Sequence, residues 1–310
     1  MKVRISVFAA TAVLVLAPVA CRKAKVSPAA GKTAAQLLQE GDAALKRGKF
    51  DDARKLLRAL EENLPSAPEY AEAKLLLGDS YFFQGSASYP EALVEYQSFL
   101  NFFPTHARRD YALYHAALCH YAAIESAERD QAETRLAVEG FQRLLTEQPG
   151  SPFTVEAKDK ILQCWRRIAE HELVVGLYYV NSFNYNGAEK RLKGLLETYP
   201  DYADRERTYF YLGEALQQKL IPVAEIEAWQ KSRMASLGKE NFQDLTREQQ
   251  KEFGLAQAKF AKETLEHYRA EAKSYYQKLV ESYPGGEWAR RAADRLLEMG
   301  STNVKEELDS

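Results

Sequence analysis

The stretch GDAALKRGKFDDARKLLRALEENLP, residues 41–65, decides the fold. Ala53 is followed four residues later by Leu57, seven later by Leu60 and twelve later by Pro65, and Gly41 stands twelve before it. Offsets of zero, four and seven share one face of an α-helix, so Ala53, Leu57 and Leu60 form a narrow apolar seam. Proline lacks the amide hydrogen a helix needs, so Pro65 ends the run. Gly41 is a small residue in a preceding helix, where a partner crosses closely. The stretch predicts a pair of packed helices.

The spacing recurs. Ala92, Tyr96, Phe99 and Pro104 repeat it, as do Ala137, Phe141, Leu144 and Pro149; Ala188, Leu192, Leu195 and Pro200; and Ala272, Tyr276, Leu279 and Pro284. Gly78, Ala117, Gly176 and Gly213 supply the small residue of the preceding helix. The unbroken spacing of twelve in the first and fourth pairs is that of tetratricopeptide repeats. In the second, third and fifth pairs it grows by 2, 8 and 47 residues. Those additions fall in the loop between a pair's two helices, where a stacked array tolerates them. The predicted fold class is all-α: a tetratricopeptide-repeat solenoid of about five helix pairs with a helical insertion in the last repeat.

Composition agrees. Gly and Pro are scarce, no stretch alternates in period two, and 42 Lys and Arg balance 44 Asp and Glu, so nothing suggests a field for nucleic acid. Repeats one to three are expected over 33–150 and repeats four and five over 151–299, with a helical insertion at 221–271 and a polar tail at 300–310. Within the insertion Thr246 and Gln249 form a capping box for a second run that can continue into the helix of Ala272. Thr105, Ser151 and Asp201 are expected to cap helices, and one long helix is expected from Phe153 to about Ser182.

Lys2 and Arg4 precede an uncharged apolar run, Ile5 to Ala20, too short to span a membrane comfortably and closed by small residues before Cys21. This reads as an export signal over 1–20. It resembles the bacterial lipoprotein signal, in which the cysteine is acylated, with Pro18 where such signals commonly carry Leu. Cys21 is the expected lipid anchor, followed by a stalk over 21–32. The alternative is ordinary signal-peptidase cleavage nearby with Cys21 a free thiol. Gly31, Lys32 and Thr33 mimic the end of a phosphate-binding loop, but no strand precedes them.

In such arrays the first helix of each pair lines a ligand groove. The residues this selects are Leu75, Asp79, Phe82, Tyr111, Tyr114, Leu118 and Tyr121, which suit an extended apolar or aromatic peptide or else fill the core between repeats. No catalytic constellation is found. His171 and Glu172 lack the second histidine of a zinc-protease motif, and His115 with Cys119 finds no further ligand, so neither metal nor cofactor is expected. Cys119 and Cys164 are expected as core thiols, a disulfide between them being left open.

Pro104, Thr105 and His106 followed by Asp110 and Tyr111, Arg129 and Asp130, Pro149 to Ser151, and Tyr199 to Asp201 are similar to the BamD family of outer-membrane protein assembly lipoproteins. The resemblance spans Cys21 to about Leu297, with the insertion a departure. It implies a non-enzymatic scaffold on the periplasmic face of the outer membrane, working with other assembly lipoproteins. Its C-terminal half would dock on a BamA-type insertase, and its N-terminal half would take the C-terminal signals of unfolded outer-membrane proteins. Arg205 and Arg207 are the implied docking residues. The alternative is another envelope adaptor, a secretin pilotin or a coordinator of cell-wall synthesis.

Overall fold

The structure, a computed structural model, describes residues 31–308 apart from 202 and 203, with side chains described through residue 300. The expected signal, Cys21 and nearly all of the stalk therefore lie outside the described residues. The described residues form twelve α-helices and no strand: α1 (Ala34–Lys46), α2 (Phe50–Asn63), α3 (Tyr70–Phe82), α4 (Tyr89–Phe102), α5 (Arg109–Ala122), α6 (Ala132–Glu147), α7 (Thr154–Asn181), α8 (Tyr185–Thr198), α9 (Arg205–Gln218), α10 (Val223–Ser236), α11 (Arg247–Ser282) and α12 (Glu287–Leu308). This is the expected all-α tetratricopeptide-repeat architecture. The chain forms two compact units, one ending at Leu76 and the other starting at Leu77.

The crossing residues explain the spacing. A Cβ added at Gly41 would lie 2.8 Å from Leu57, and one at Gly176 2.5 Å from Leu192. At Gly78 and Gly213 it would lie 2.5 Å from the rings of Tyr96 and Tyr276. In each case the obstacle is the residue four after the seam alanine, so glycine is what lets the two helices touch. The third pair reaches the same closeness from the other side: its crossing residue is Ala117, and the glycine is Gly140, whose added Cβ would meet that of Ala117 at 2.8 Å.

In the first unit α1 packs on α2, with Leu37, Leu57 and Leu60 fully buried. Thr33 and Gln36 make a capping box at the start of α1, and Lys32 pairs with Glu40 at 2.5 Å. The residues that mimic a phosphate loop therefore start a helix.

In the second unit each helix from α4 to α8 packs on the next, and α9 then packs on α11. Leu173, Leu192, Phe210, Leu212, Tyr276 and Leu279 share one core. The long helix is present as α7, and Thr246 with Gln249 caps α11, which runs without interruption into the seam of Ala272. Within the insertion α10 folds back on α11 around Met234, Leu245 and Phe253, with Trp229 stacked on Phe260 at 5.2 Å.

Three expected caps are corrected. α5 begins at Arg109, four residues after Thr105, because residues 103–108 form turns first. Ser151 sits two residues before the cap position of α7, where its hydroxyl accepts from the Phe153 amide and donates to Asp110 at 2.9 Å. Asp204, rather than Asp201, caps α9 by accepting from the Arg207 amide. α12 follows the last seam helix. It buries Ala289 and Ala292 against α9 and α11, and its helix continues through the stretch expected as a polar tail.

Candidate functional site

Six of the seven groove candidates lie in the second unit, and most of them meet in one aromatic cluster. Asp79, near the end of α3, is buried and accepts from Tyr96 at 2.6 Å and from Tyr111 at 2.9 Å. The Tyr111 ring stacks on His115 one helical turn away, with centroids 4.0 Å apart. Tyr114 stacks on Phe153 at 4.5 Å with an interplanar angle of 11°. Phe82 stacks on Tyr89 and meets His115 edge-on at 5.9 Å. Tyr121 contacts Phe141 edge-on, donates to Gln163 and carries the Lys160 ammonium 4.4 Å from its ring centroid. Leu118 is half-buried on the same helix. Leu75 belongs to the first unit and is fully buried there.

The cluster has an inner and an outer part. Asp79, Tyr114 and His115 are buried, whereas Phe82, Tyr111, Leu118 and Tyr121 keep part of their surface exposed. Held by hydrogen bonds and stacking, the outer rings lose little freedom when a ligand covers them. Arg108 lies 4.2 Å from the Tyr111 ring centroid and gives the rim a positive charge.

Electrostatics follow burial. The phenol of Tyr96 is raised far above its usual range by burial and by the Asp79 charge. Burial, helped by the charge of Arg108, pushes His115 down to about 4, against the opposing field of Glu156. His115 is therefore neutral at pH 7, with Nδ1 lacking a hydrogen-bond partner. The buried Tyr114 hydroxyl faces Glu156 without good hydrogen-bond geometry, yet closely enough to hold that carboxylate below its ordinary value. His115 and Phe153 were not among the groove candidates. A histidine four residues after Tyr111 marks the same helical face, so the signal was present.

Cys119 and Cys164 are both buried free thiols. Burial raises them to about 12 and about 11, which keeps them protonated and unreactive. Among the described residues no group of three His, Cys, Asp or Glu side chains is placed to hold a metal, and no helix is long and apolar enough to cross a membrane.

Arg205 and Arg207 occupy the first turn of α9. Arg207 pairs with Asp204 at 3.2 Å. Arg205 makes no ion pair among the described residues. Cations at a helix N-terminus oppose the helix dipole, so Arg205, which lacks the cap pairing of Arg207, is not placed there for the stability of α9.

The glycine crossings, the proline stops and the stacked pairs define this as a tetratricopeptide-repeat protein with an aromatic cluster on its second and third pairs. The YfiO family, described as "Outer membrane lipoprotein", matches residues 30–229, which is 200 of the chain's 310 residues. The chain belongs to that family. It is 28% identical over 193 residues to the outer membrane protein assembly factor BamD of Vibrio cholerae, covering 59% of this chain and 79% of that one. To BamD of Haemophilus influenzae it is 26% identical over 193 residues, covering 59% and 73%. The solved TPR domain of P58(IPK) is 15% identical with a TM-score of 0.36, covering 86% of this chain and 66% of that one, and the fold assignment rests on the helices themselves. The family match ends inside α10, so most of the insertion and α12 lie beyond it.

Proposed function

We propose that this protein is a non-enzymatic scaffold of the outer-membrane β-barrel assembly machinery. Its anchor is Cys21, acylated in the outer membrane, with the repeats on the periplasmic side. It binds a BamA-type insertase and unfolded outer-membrane proteins, and works beside other assembly lipoproteins. The observation that carries this reading is membership of the YfiO family together with relatives named as assembly factors.

The α5 cluster supports the substrate half of the reading. Phe82, Tyr111, Leu118 and Tyr121 offer fixed ring and methyl surface to an extended peptide, and the buried Asp79 and Tyr114 hold that surface in place. Aromatic rings supply large contact area at small entropic cost, which suits a ligand that is itself unfolded before binding. Arg205 supports the partner half: it is a charge at the unfavourable end of α9 with no ion pair of its own among the described residues. Rim charges of this kind steer and select partners more than they add affinity.

The test is a titration of the purified chain with a labelled peptide ending in an aromatic residue, as unfolded barrel strands do. The Phe82→Ala, Tyr121→Ala double variant should bind it at least about tenfold more weakly while its circular dichroism is unchanged. Equal binding by variant and parent would remove the α5 assignment. Tyr114→Ala is a poor test, since a fully stacked buried ring leaves a cavity that costs stability.

A further inference from the structure

The fourth helix pair carries a second surface that uses none of the residues assigned above. An open cleft of ≈ 560 Å³ between α7 and α8 is lined by Glu172, Tyr179, Lys190, Arg191, Gly194 and Tyr199, among others. Three observations set it apart.

First, Gly194 lies in the interior of α8, where glycine weakens a helix. A Cβ added there would meet nothing within 4 Å, in contrast to Gly176, which is hemmed in by Leu192. At the same offset from the seam alanine the other repeats carry Ala59, Ser98, Arg143 and Lys278. Packing within this chain does not ask for the glycine; a bare cleft wall does.

Second, the turn that joins α7 to α8 holds Phe183 at φ 58, the one non-glycine residue with positive φ among those described, and leaves its ring 78% exposed. The corresponding turn of the first repeat uses Gly48 at φ 72 with the same two amide hydrogen bonds, from Gly48 to Leu45 and from Lys49 to Ala44. In the fourth repeat these run from Phe183 to Val180 and from Asn184 to Tyr179. A bulky L-residue is strained there, and Phe183 recovers little burial from its own chain. Tyr179, which accepts the Asn184 amide, also lines the cleft, so turn and cleft adjoin.

Third, the charges do not cancel. Arg191 is paired with Glu172 at 2.6 Å, while Lys190 makes no ion pair among the described residues. Tyr199 is backed by Trp165 at 6.0 Å. The cleft thus combines aromatic walls with one uncompensated ammonium.

We propose that this cleft and the Phe183 turn dock an acidic peptide segment of a partner protein. One apolar side chain sits beside Tyr179 and Tyr199, a carboxylate meets Lys190, and Phe183 inserts against the partner's apolar surface. The probe is a fluorescein-labelled decapeptide alternating Phe or Leu with Glu, titrated into the detergent-purified whole chain beside the same peptide with Lys in place of Glu. The acidic peptide should bind at least about tenfold more tightly than the basic one, and Gly194→Trp and Lys190→Glu should each weaken it about tenfold. Phe183→Gly should weaken binding yet raise the urea midpoint, a combination that a merely structural residue would not give. The aromatic-ended peptide of the α5 test should not displace the acidic one. Equal binding of the two decapeptides, unchanged binding by Gly194→Trp and Lys190→Glu, or displacement by the aromatic-ended peptide would overturn the proposal.

Discussion

Tyr96 donates its phenolic hydrogen to the buried carboxylate of Asp79 at 2.6 Å, across the helix crossing that Gly78 opens. The fifth repeat repeats the device: Tyr276 donates to Glu214 at 2.9 Å, beside Gly213. In both repeats the residue four after the seam alanine is tyrosine and the residue after the crossing glycine is its acidic acceptor; where leucine fills the crossing, the residue after the glycine is Leu177 in the fourth repeat and Asp42, which pairs with Lys46 instead, in the first. A ring that fills the crossing brings a hydroxyl with it, and a buried hydroxyl needs an acceptor. Asp79 accepts a second phenol, Tyr111, and so ties the core of the second repeat to the outer ring of the α5 cluster.

Tyr96→Phe should therefore destabilise the array by ~1.5–3 kcal/mol, the range for a hydrogen bond to a charged group. Urea unfolding reads the change. A shift within error would mean that the carboxylate is satisfied without this phenol.

Two glycine substitutions should act in opposite directions. Gly78→Ala forces a methyl group against the Tyr96 ring, which its bond to Asp79 holds in place, and overpacking of that kind costs about 1–3 kcal/mol. Gly194→Ala meets nothing and gains helix propensity, up to ~1 kcal/mol. Thermal midpoints moving the same way in both variants would contradict the crossing geometry.

Stability should fall on mild acidification through His115. Its folded value, about 4, lies below the value near 6.5 expected when unfolded, so the unfolded chain takes up the proton first. The contribution is complete above pH ~6.5 and is lost between there and ~4, at up to ~1.4 kcal/mol per pH unit. Urea unfolding at pH 7 and pH 5 should differ by about 2 kcal/mol from this source, and His115→Leu should flatten the slope. An unaltered slope in that variant would place the effect elsewhere.

Charge reversal at Arg205 should weaken recovery of the partner more than reversal at Arg207, because Arg207 is engaged with Asp204 at the helix cap. Equal losses, or none, in quantitative co-purification would remove Arg205 from the docking surface.

The repeats, the crossing glycines, the long α7 and the capping box at Thr246 were legible because each rests on local spacing. The caps at Thr105, Ser151 and Asp201 were misplaced because several residues of turn separate the helix-stopping proline from the next helix. In α9 it is a second aspartate, Asp204, that reaches the free amide. Gly140, the compensating partner of Ala117, is not marked by the spacing, since close approach is a property of both helices and the small residue can stand on either. α12 carries the apolar offsets of the seam in Ala292, Leu296 and Met299, which join the core beside Trp288, but no proline stands twelve after Ala292, so the full signature is absent. The groove residues Phe82, Tyr111 and Tyr121 could be selected by helical face. Their division into buried and exposed parts depended on His115 and Phe153, which come from the same helix and from the start of the next pair.

Under the proposed function this array serves barrel-protein assembly by holding other polypeptides. Crosslinking in intact envelopes, purification of the chain and mass-spectrometric identification of what comes with it test that most directly. A large outer-membrane barrel protein with periplasmic repeat domains, recovered alongside unfolded barrel substrates and lost on charge reversal at Arg205, is the predicted result. Recovery of a secretin or a cell-wall synthase with no barrel insertase would contradict it.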